Sequence, residues 1–406
     1  MTLRYLLIGL FFVVLSATSV PALATPYGVI EFSTSAIRGF VVEDGESRGL
    51  QIAARLPMLE QAPGTPANLA AVLAQADSLV VEMVDQYRVD HSHIYVVVSS
   101  GLAETEQFKN VLRDAITRRL GLDPDILAAS TETRLNFDGA VAGLIKARRR
   151  EVVLIDIGSG NIKGNFLNTR GTPPHIPFEW RELGVKQLAK RARDLTQGPN
   201  PGLSYDDALA SVIDHELRPA IRAELAHLPD LALHKRVYLS GGIVWAFALL
   251  SAPRDQRRWV PLNAFDDPAT TPHGRHLAPG AFLSALNDLD ARRQRSIDAL
   301  YSPGGPGGCL FTESQIAHSD SASRDTLCES VATEIDRLSK QVFDVNEIQA
   351  GFAILRALYQ ELSMQDKTVF YLREALWLWT IPYVAERINR HLEPAGDQPP
   401  FPEVKW

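Results

Sequence analysis

Val152-Val153-Leu154-Ile155-Asp156-Ile157-Gly158-Ser159-Gly160-Asn161-Ile162-Lys163-Gly164-Asn165-Phe166-Leu167 reads as a strand, a tight turn and a second strand. Val152 to Ile157 is apolar except for Asp156, the pattern of a strand buried on both faces. The small residues at 158–160 allow a turn in which backbone N–H groups approach an anion closely. Asp156 sets a carboxylate at the mouth of that turn. The same unit stands roughly 125 residues earlier: Gly28-Val29-Ile30-Glu31-Phe32, then Ser33, Thr34 and Ser35 as a turn, then Ile37 to Val42. Turns of small residues are common singly. Two such hairpins, able to face each other across a cleft, point to phosphate chemistry.

Outward from these hairpins the pattern alternates strand and helix. The first hairpin is followed by a helix from about Asn68 to Asp85, a buried strand Ile94–Val98, and helices at Phe108–Leu120 and Thr131–Ala147. After the second hairpin come helices near Val185–Leu195 and Tyr205–Leu225. A third buried strand, Arg236–Leu239, is closed by Ser240-Gly241-Gly242. From 251 to 339 the periodicity weakens around Pro/Gly-rich pieces, which reads as an insertion into the second unit. A helix Asn346–Leu362, a strand Thr368–Leu372 and a helix Arg373–Leu392 complete the ordered part. The expected organisation is a leader at 1–24, a first lobe at 25–148, a second lobe at 149–393 and a coil tail at 394–406.

The 406 residues suit two cores. With 41 basic and 48 acidic residues the net charge is −7, so no general attraction to nucleic acid or to an anionic membrane is expected. Arg4, an apolar run to about Val20 and the Ala22-Leu23-Ala24 end read as a cleavable secretory signal, with the mature chain starting near Thr25. The same run is short for a membrane-spanning helix. The chain is therefore expected to be exported, to the periplasm or the medium, with no stable membrane span after cleavage; a retained N-terminal anchor is the alternative. In such a compartment the two cysteines, Cys309 and Cys328, can close one disulfide, with two free thiols as the alternative.

Read in order, the motifs resemble the exopolyphosphatase/guanosine pentaphosphate phosphatase family of the actin/Hsp70/sugar-kinase superfamily. Asp156-Ile-Gly-Ser-Gly-Asn-Ile-Lys163 is similar to that family's second phosphate loop, Asp-Ile-Gly-Gly-Gly-Ser-Thr-Glu. Ile30-Glu-Phe-Ser-Thr-Ser-Ala-Ile-Arg38 is similar to its first, Ile-Asp-x-Gly-Ser-Asn-Ser-x-Arg. Val98-Ser-Ser-Gly-Leu-Ala103, Ser130-Thr-Glu-Thr-Arg-Leu135, Glu182-Leu-Gly-Val-Lys-Gln-Leu188, Ser240-Gly-Gly242, Ala350-Gly-Phe-Ala-Ile-Leu355 and Leu372-Arg-Glu-Ala-Leu376 follow in the family's order.

The resemblance implies an α/β fold: a two-lobed actin-like ATPase, a duplicated ribonuclease H-like unit with mixed sheets flanked by helices. It implies Mg²⁺ held by Glu31 and Asp156, and a general base at Glu132. Phosphate contacts are implied for Ser33, Thr34, Ser35, Arg38, Gly158, Ser159, Gly160, Asn161, Lys163, Gly241 and Gly242. The implied activity is an exported hydrolase of phosphoanhydride or phosphate-ester bonds, acting on polyphosphate or another phosphorylated small molecule. A catalytically silent phosphate-, polyphosphate- or nucleotide-binding module and an apyrase-like nucleotidase are the alternatives. Four departures bear on the choice. Glu31 replaces an Asp, Ser33 a Gly, Ala103 an Arg, and Lys163 a Glu, which reverses a charge. Export is testable apart from function: mass spectrometry of the protein from its native host is expected to find a chain beginning near Thr25, whereas intact Met1 in the membrane fraction means an anchor.

Overall fold

Because β1 (Tyr27–Phe32) is apolar on both faces, it needs neighbours on both edges and cover above and below. It pairs antiparallel with β2 (Ile37–Glu43), which pairs antiparallel with β3 (Glu46–Gly49). On its other edge it runs parallel to β4 (Ile94–Val98), followed by β5 (Asp125–Ile126). A second sheet comprises β6 (Val152–Ile157), β7 (Ile162–Leu167), β8 (His175–Trp180), β9 (Arg236–Ser240), β10 (Trp259–Asn263) and β11 (Thr368–Leu372). Its order is β10-β11-β9-β6-β7-β8, against β3-β2-β1-β4-β5 for the first. Taken from β8, the second sheet repeats the first strand for strand, with the same parallel and antiparallel neighbours; β10 is an added antiparallel edge. In this computed structural model the described residues are 25–392 apart from 34–35, 45, 50–65, 104–105, 169–171, 199–201, 252–257, 264–280, 296–299, 301–320 and 374. The leader, Thr34, Ser35, Cys309 and the 394–406 tail lie outside them.

The strands that sequence patterning passes over are edges or short pieces. His175-Ile-Pro-Phe-Glu-Trp180 carries a proline that a central strand would not accept, and β8 is the edge where Pro177 is tolerated. Glu46-Ser-Arg-Gly49 forms the opposite edge of the first sheet and has no apolar signature.

Helices α1 (Pro66–Tyr87) and α2 (Glu106–Leu120) cover one face of the first sheet, through Val72, Ala76, Leu79, Met83, Leu112 and Ile116 against Ile30, Phe32 and Val96. The other face is covered from far away in sequence. Trp379, Tyr383 and Val384, at the start of the last helix, pack on Val29, Phe40, Tyr95 and Val97. In exchange α3 (Ala129–Val141) packs Phe137, Ala140 and Val141 under the second sheet, against Val152, Leu154 and Tyr238. The opposite face of the second sheet is covered by α4 (Val185–Gln197), α5 (Tyr205–Val212), α6 (Gly242–Ser251), α7 (Ala281–Arg295), α8 (Ser321–Arg337) and α9 (Val345–Glu361). The last helix is α10 (Thr380–Leu392).

The boundary at 148/149 therefore needs correction. The last described helix packs on the first lobe, and α3 belongs as much to the second sheet as to the first. Each sheet has two apolar faces, and helices local in sequence cover only one of them; the crossed pair α3 and α10 supplies the rest. Arg134 of α3 clasps Glu386 of α10 with two hydrogen bonds, at 2.6 and 3.0 Å. Within the expected insertion, α7 and α8 add Phe282, Leu286, Leu289 and Val331 to the second core. Cys328 of α8 is disulfide-bonded.

Gly139 marks where the crossed elements meet. A Cβ there would lie 2.2 Å from the Leu378 carbonyl oxygen, and backbone on both sides leaves no room to yield. Gly139→Ala is expected to cost about 1–3 kcal/mol in urea unfolding. Gly143→Ala, where an added Cβ meets nothing within 4 Å, is the control and should stay within about 0.5 kcal/mol.

Candidate functional site

The first hairpin turn is shaped by Ser33. Its N–H and Oγ both donate to the Ala36 carbonyl, at 3.0 and 2.8 Å, and its Oγ accepts from the Ala36 N–H at 3.2 Å. The hydroxyl expected on phosphate is thus engaged in building the turn, because Ser at a Gly position brings its own hydrogen-bonding group. Arg38 sits directly across the ladder from Glu31, and its Nη1 lies 3.0 Å from Glu31 Oε2.

The second turn is fastened from behind. The Gly158 N–H donates to the Asn161 carbonyl at 2.9 Å, and Asn161 Nδ2 donates to Glu179 Oε1 at 2.6 Å. At the start of α4, the N–H groups of Gly184, Val185 and Lys186 donate to the carbonyls of Gly160, Gly158 and Ser159, at 3.2, 3.1 and 3.0 Å. Helix-start amides that would otherwise lack partners are satisfied by the loop. Among the described residues the amides of Ser159 and Gly160 have no protein acceptor, and a Cβ on Gly160 would meet nothing within 4 Å. These two amides are the open donors of the turn, whereas Gly158 and Asn161 hold its shape. Gly184 is the residue that permits the clasp, since a Cβ there would lie 2.5 Å from the loop backbone.

Glu132, Asp156 and Lys163 come together where α3 passes beneath β7. Lys163 is paired across the ladder with Asp156, and Asp156 on its other side with Ser240. Lys163 Nζ lies 2.6 Å from Glu132 Oε1, 3.3 Å from Ser100 Oγ and 3.9 Å from Asp156 Oδ2, with only 5% of the residue exposed. The other Glu132 oxygen accepts the Ser100 N–H at 2.9 Å. Asp156 Oδ1 accepts from Ser240 Oγ at 2.9 Å. Ser100, just beyond β4, holds both members of the ion pair; the Val98-Ser-Ser-Gly run after a buried strand marked the place without assigning this role. Glu31 is also buried, and its charge interacts with Arg38, Glu132 and Lys163. The first-lobe and second-lobe carboxylates thus share one electrostatic cluster.

Third in the set, Gly241 adopts φ +103°, and a Cβ would sit 2.2 Å from the Ile157 carbonyl oxygen, so only glycine follows Ser240 here. Gly242 opens α6 and packs on Phe343. One turn on, Trp245 donates from Nε1 to Glu334 at 3.3 Å, with the Arg337 guanidinium 5.8 Å from its ring centroid. Sequence reading did not single out Trp245 and Arg337, because the residues between 251 and 339 carry no periodic signal that ties α8 to α6.

The charge states follow from burial and pairing. Burial pushes Glu31 and Asp156 up from the ordinary carboxylate range, more than Arg38 and Lys163 respectively pull them down. Burial acts on Glu132 in the same sense, but the Lys163 charge and the hydrogen bonds from Lys163 and Ser100 outweigh it and hold Glu132 low. For Lys163 burial would lower the value, and Glu132 and Asp156 together raise it. Glu132 and Lys163 are the ionised pair of the cluster.

The donor set does not fit the expected Mg²⁺. Glu31 is bonded to Arg38, Asp156 to Ser240, and the ammonium of Lys163 stands beside both Asp156 and Glu132. Mg²⁺ demands a near-octahedral oxygen shell. A divalent ion about 4 Å from that ammonium would be repelled by roughly 8 kcal/mol at an effective dielectric constant of ~20. Among the described residues no group of three or more His, Cys, Asp or Glu side chains is arranged to hold a metal.

Two mixed sheets of one strand order, flanked by helices and joined by the crossed pair, define the two-lobed actin-like ATPase fold. Solved structures agree. A Ppx/GppA family member from Aquifex aeolicus superposes with a TM-score of 0.53 at 13% identity, covering 91% of this chain and 99% of that one. An exopolyphosphatase from Cytophaga hutchinsonii gives 0.54 at 13% identity, over 90% and 98%. An exopolyphosphatase-like protein gives 0.55 at 12% identity, over 91% and 100%. No protein-family profile matches the chain, and no curated protein does. At such identities the likeness establishes the fold.

The ion pair sets a pH window. Glu132, held below its ordinary 4.5, contributes stability that is complete above that value and is lost as pH falls through its lower folded value. Lys163, held above 10.5, contributes stability that is complete below that value and is lost as pH rises through its higher one. Glu132→Gln is therefore expected to cost about 3 kcal/mol near neutral pH. The difference from wild type should shrink by about pH 3 in urea unfolding. An equal difference at both pH values would sink this account of the pair.

Proposed function

We propose that the chain is a divergent relative of the exopolyphosphatase/guanosine pentaphosphate phosphatase family that hydrolyses phosphoanhydride or phosphate-ester bonds, and that it works outside the cytoplasm. The observation that carries this reading is the convergence of Glu132, Asp156, Lys163 and Ser100 beside a turn with two unpartnered amides. Polyphosphate, or another phosphorylated small molecule, is the substrate class. The actin-like fold shared with exopolyphosphatase structures supports it.

The residues divide the work as follows. The amides of Ser159 and Gly160 hold oxygens of the terminal phosphate. Incoming phosphate draws the Lys163 ammonium away from Glu132 Oε1, so charge is supplied to the phosphate as the carboxylate is freed. Glu132 then accepts the proton of a water that attacks the terminal phosphorus in line, the bond to the bridging oxygen breaks, and orthophosphate leaves. Ser100 keeps the second Glu132 oxygen fixed. Asp156, tied to Ser240, limits how far Lys163 travels.

The second reading, a silent phosphate-binding module, has one specific observation behind it. Both oxygens of Glu132 already have protein donors, and its proton affinity is held low, neither of which suits a base. Phosphate release from polyphosphate, ATP and a generic phosphomonoester decides between the two. A hydrolase is expected to release phosphate from at least one, and Glu132→Gln to lower kcat by ~10²–10⁴ with KM little changed. Undiminished release from Glu132→Gln identifies another base, and no release by wild type leaves the binding module.

A further inference from the structure

The Lys163 ammonium lies between two part-buried carboxylates. Its Nζ bridges carboxylates from α3 and β6, at 2.6 Å from Glu132 and 3.9 Å from Asp156, and Ser100 Oγ completes its surroundings at 3.3 Å. The register of β6 and β7 sets Lys163 directly opposite Asp156, so the bridge is built into the ladder rather than reached by a wandering side chain. A compact ammonium with three donors suits three oxygen partners on different elements. Arg38 performs the same service for Glu31. Each carboxylate of the cluster is met by a cation of the chain itself.

We propose that the Lys163 ammonium replaces the divalent metal in this cleft, so that a phosphate chain is bound there without Mg²⁺. The inference rests on reading the cleft as a phosphate site. Phosphate oxygens meet the ammonium directly and the amides of Ser159 and Gly160 beside it, and a lysine binds phosphate as a point charge without needing a metal between them. Reversal of the charge at 163 should return the site to metal binding: a carboxylate there would stand beside Asp156 and Glu132, giving three acidic side chains where the wild type has two.

Two measurements on the full chain test this. In titrations followed by electron paramagnetic resonance, wild type is expected to show no stoichiometric Mn²⁺ site, and Lys163→Glu to gain one. In calorimetry with inorganic tripolyphosphate, wild type is expected to bind equally, within about threefold, in EDTA and in excess MgCl₂. Lys163→Gln, a milder change, should weaken binding about tenfold or more in EDTA and keeps the test alive if Lys163→Glu fails to fold. A stoichiometric Mn²⁺ site on wild type, or tripolyphosphate binding that vanishes in EDTA, overturns the proposal. Metal-free tripolyphosphate binding without any phosphate release upholds it while sinking the hydrolase reading. Phosphate release that requires Mg²⁺ does the reverse, and no tripolyphosphate binding under either condition overturns the proposal while leaving the hydrolase reading to the release assays.

Discussion

The buried contact between Lys163 and Glu132 is the constraint on which the rest of the site depends. An ammonium and a carboxylate taken out of water are stable only with each other and with further hydrogen bonds. The surroundings supply them: the Ser100 N–H and Oγ, and Asp156 at 3.9 Å. Meeting that demand draws α3, the short helix Ser100–Ala103 after β4 and the β6–β7 hairpin into one place. The position of α3 beneath the second sheet is thus doubly determined, by its apolar face under Val152 and Leu154 and by the charge at its first turn.

The same contact sets the chemistry available. In a metal-centred cleft the carboxylates would be left unpaired, to face the ion. Here Glu31, Glu132 and Asp156 each have a partner from the chain, and what is left open is a pair of backbone amides at 159–160. That balance favours the proposed reading of the site as one for an anion. The helix-start clasp of α4 contributes by taking the loop carbonyls and fixing the turn in a shape that leaves those amides free. Gly184 and Gly241 hold neighbouring pieces of backbone at distances that no side chain allows, so α4 is packed on the 158–161 turn and the Ser240-Gly241-Gly242 turn on the end of β6.

Much of this was legible in the residues. The two strand–turn–strand units around Glu31 and Asp156, the buried strands Ile94–Val98 and Arg236–Leu239 and the Gly-Gly after Ser240 follow from local rules: alternation, apolar runs, and glycine where backbone must come close. Such rules act over a few residues, so they can be read from a few residues. Edge strands such as β3 and β8 escaped because one side of an edge meets solvent, and polar residues and proline are acceptable there. The exchange of α3 and α10 between the lobes escaped because nothing within either helix says which of two apolar sheets it will cover.

The sequence by itself determined the duplicated hairpins, the small-residue turns and the kinds of charged group available to the site. Only the tertiary structure decided what those groups do. Lys163, read as a lysine exchanged for a family glutamate, is the buried partner of Glu132 and Asp156. Glu132, read as an available base, is held at both oxygens. Ser33 and Asn161, read as phosphate ligands, shape their turns. The reason is physical. A side chain's type fixes its charge and donors, but its partners, and therefore its protonation and its freedom to act, depend on residues tens of positions away, brought near by packing that no local pattern encodes.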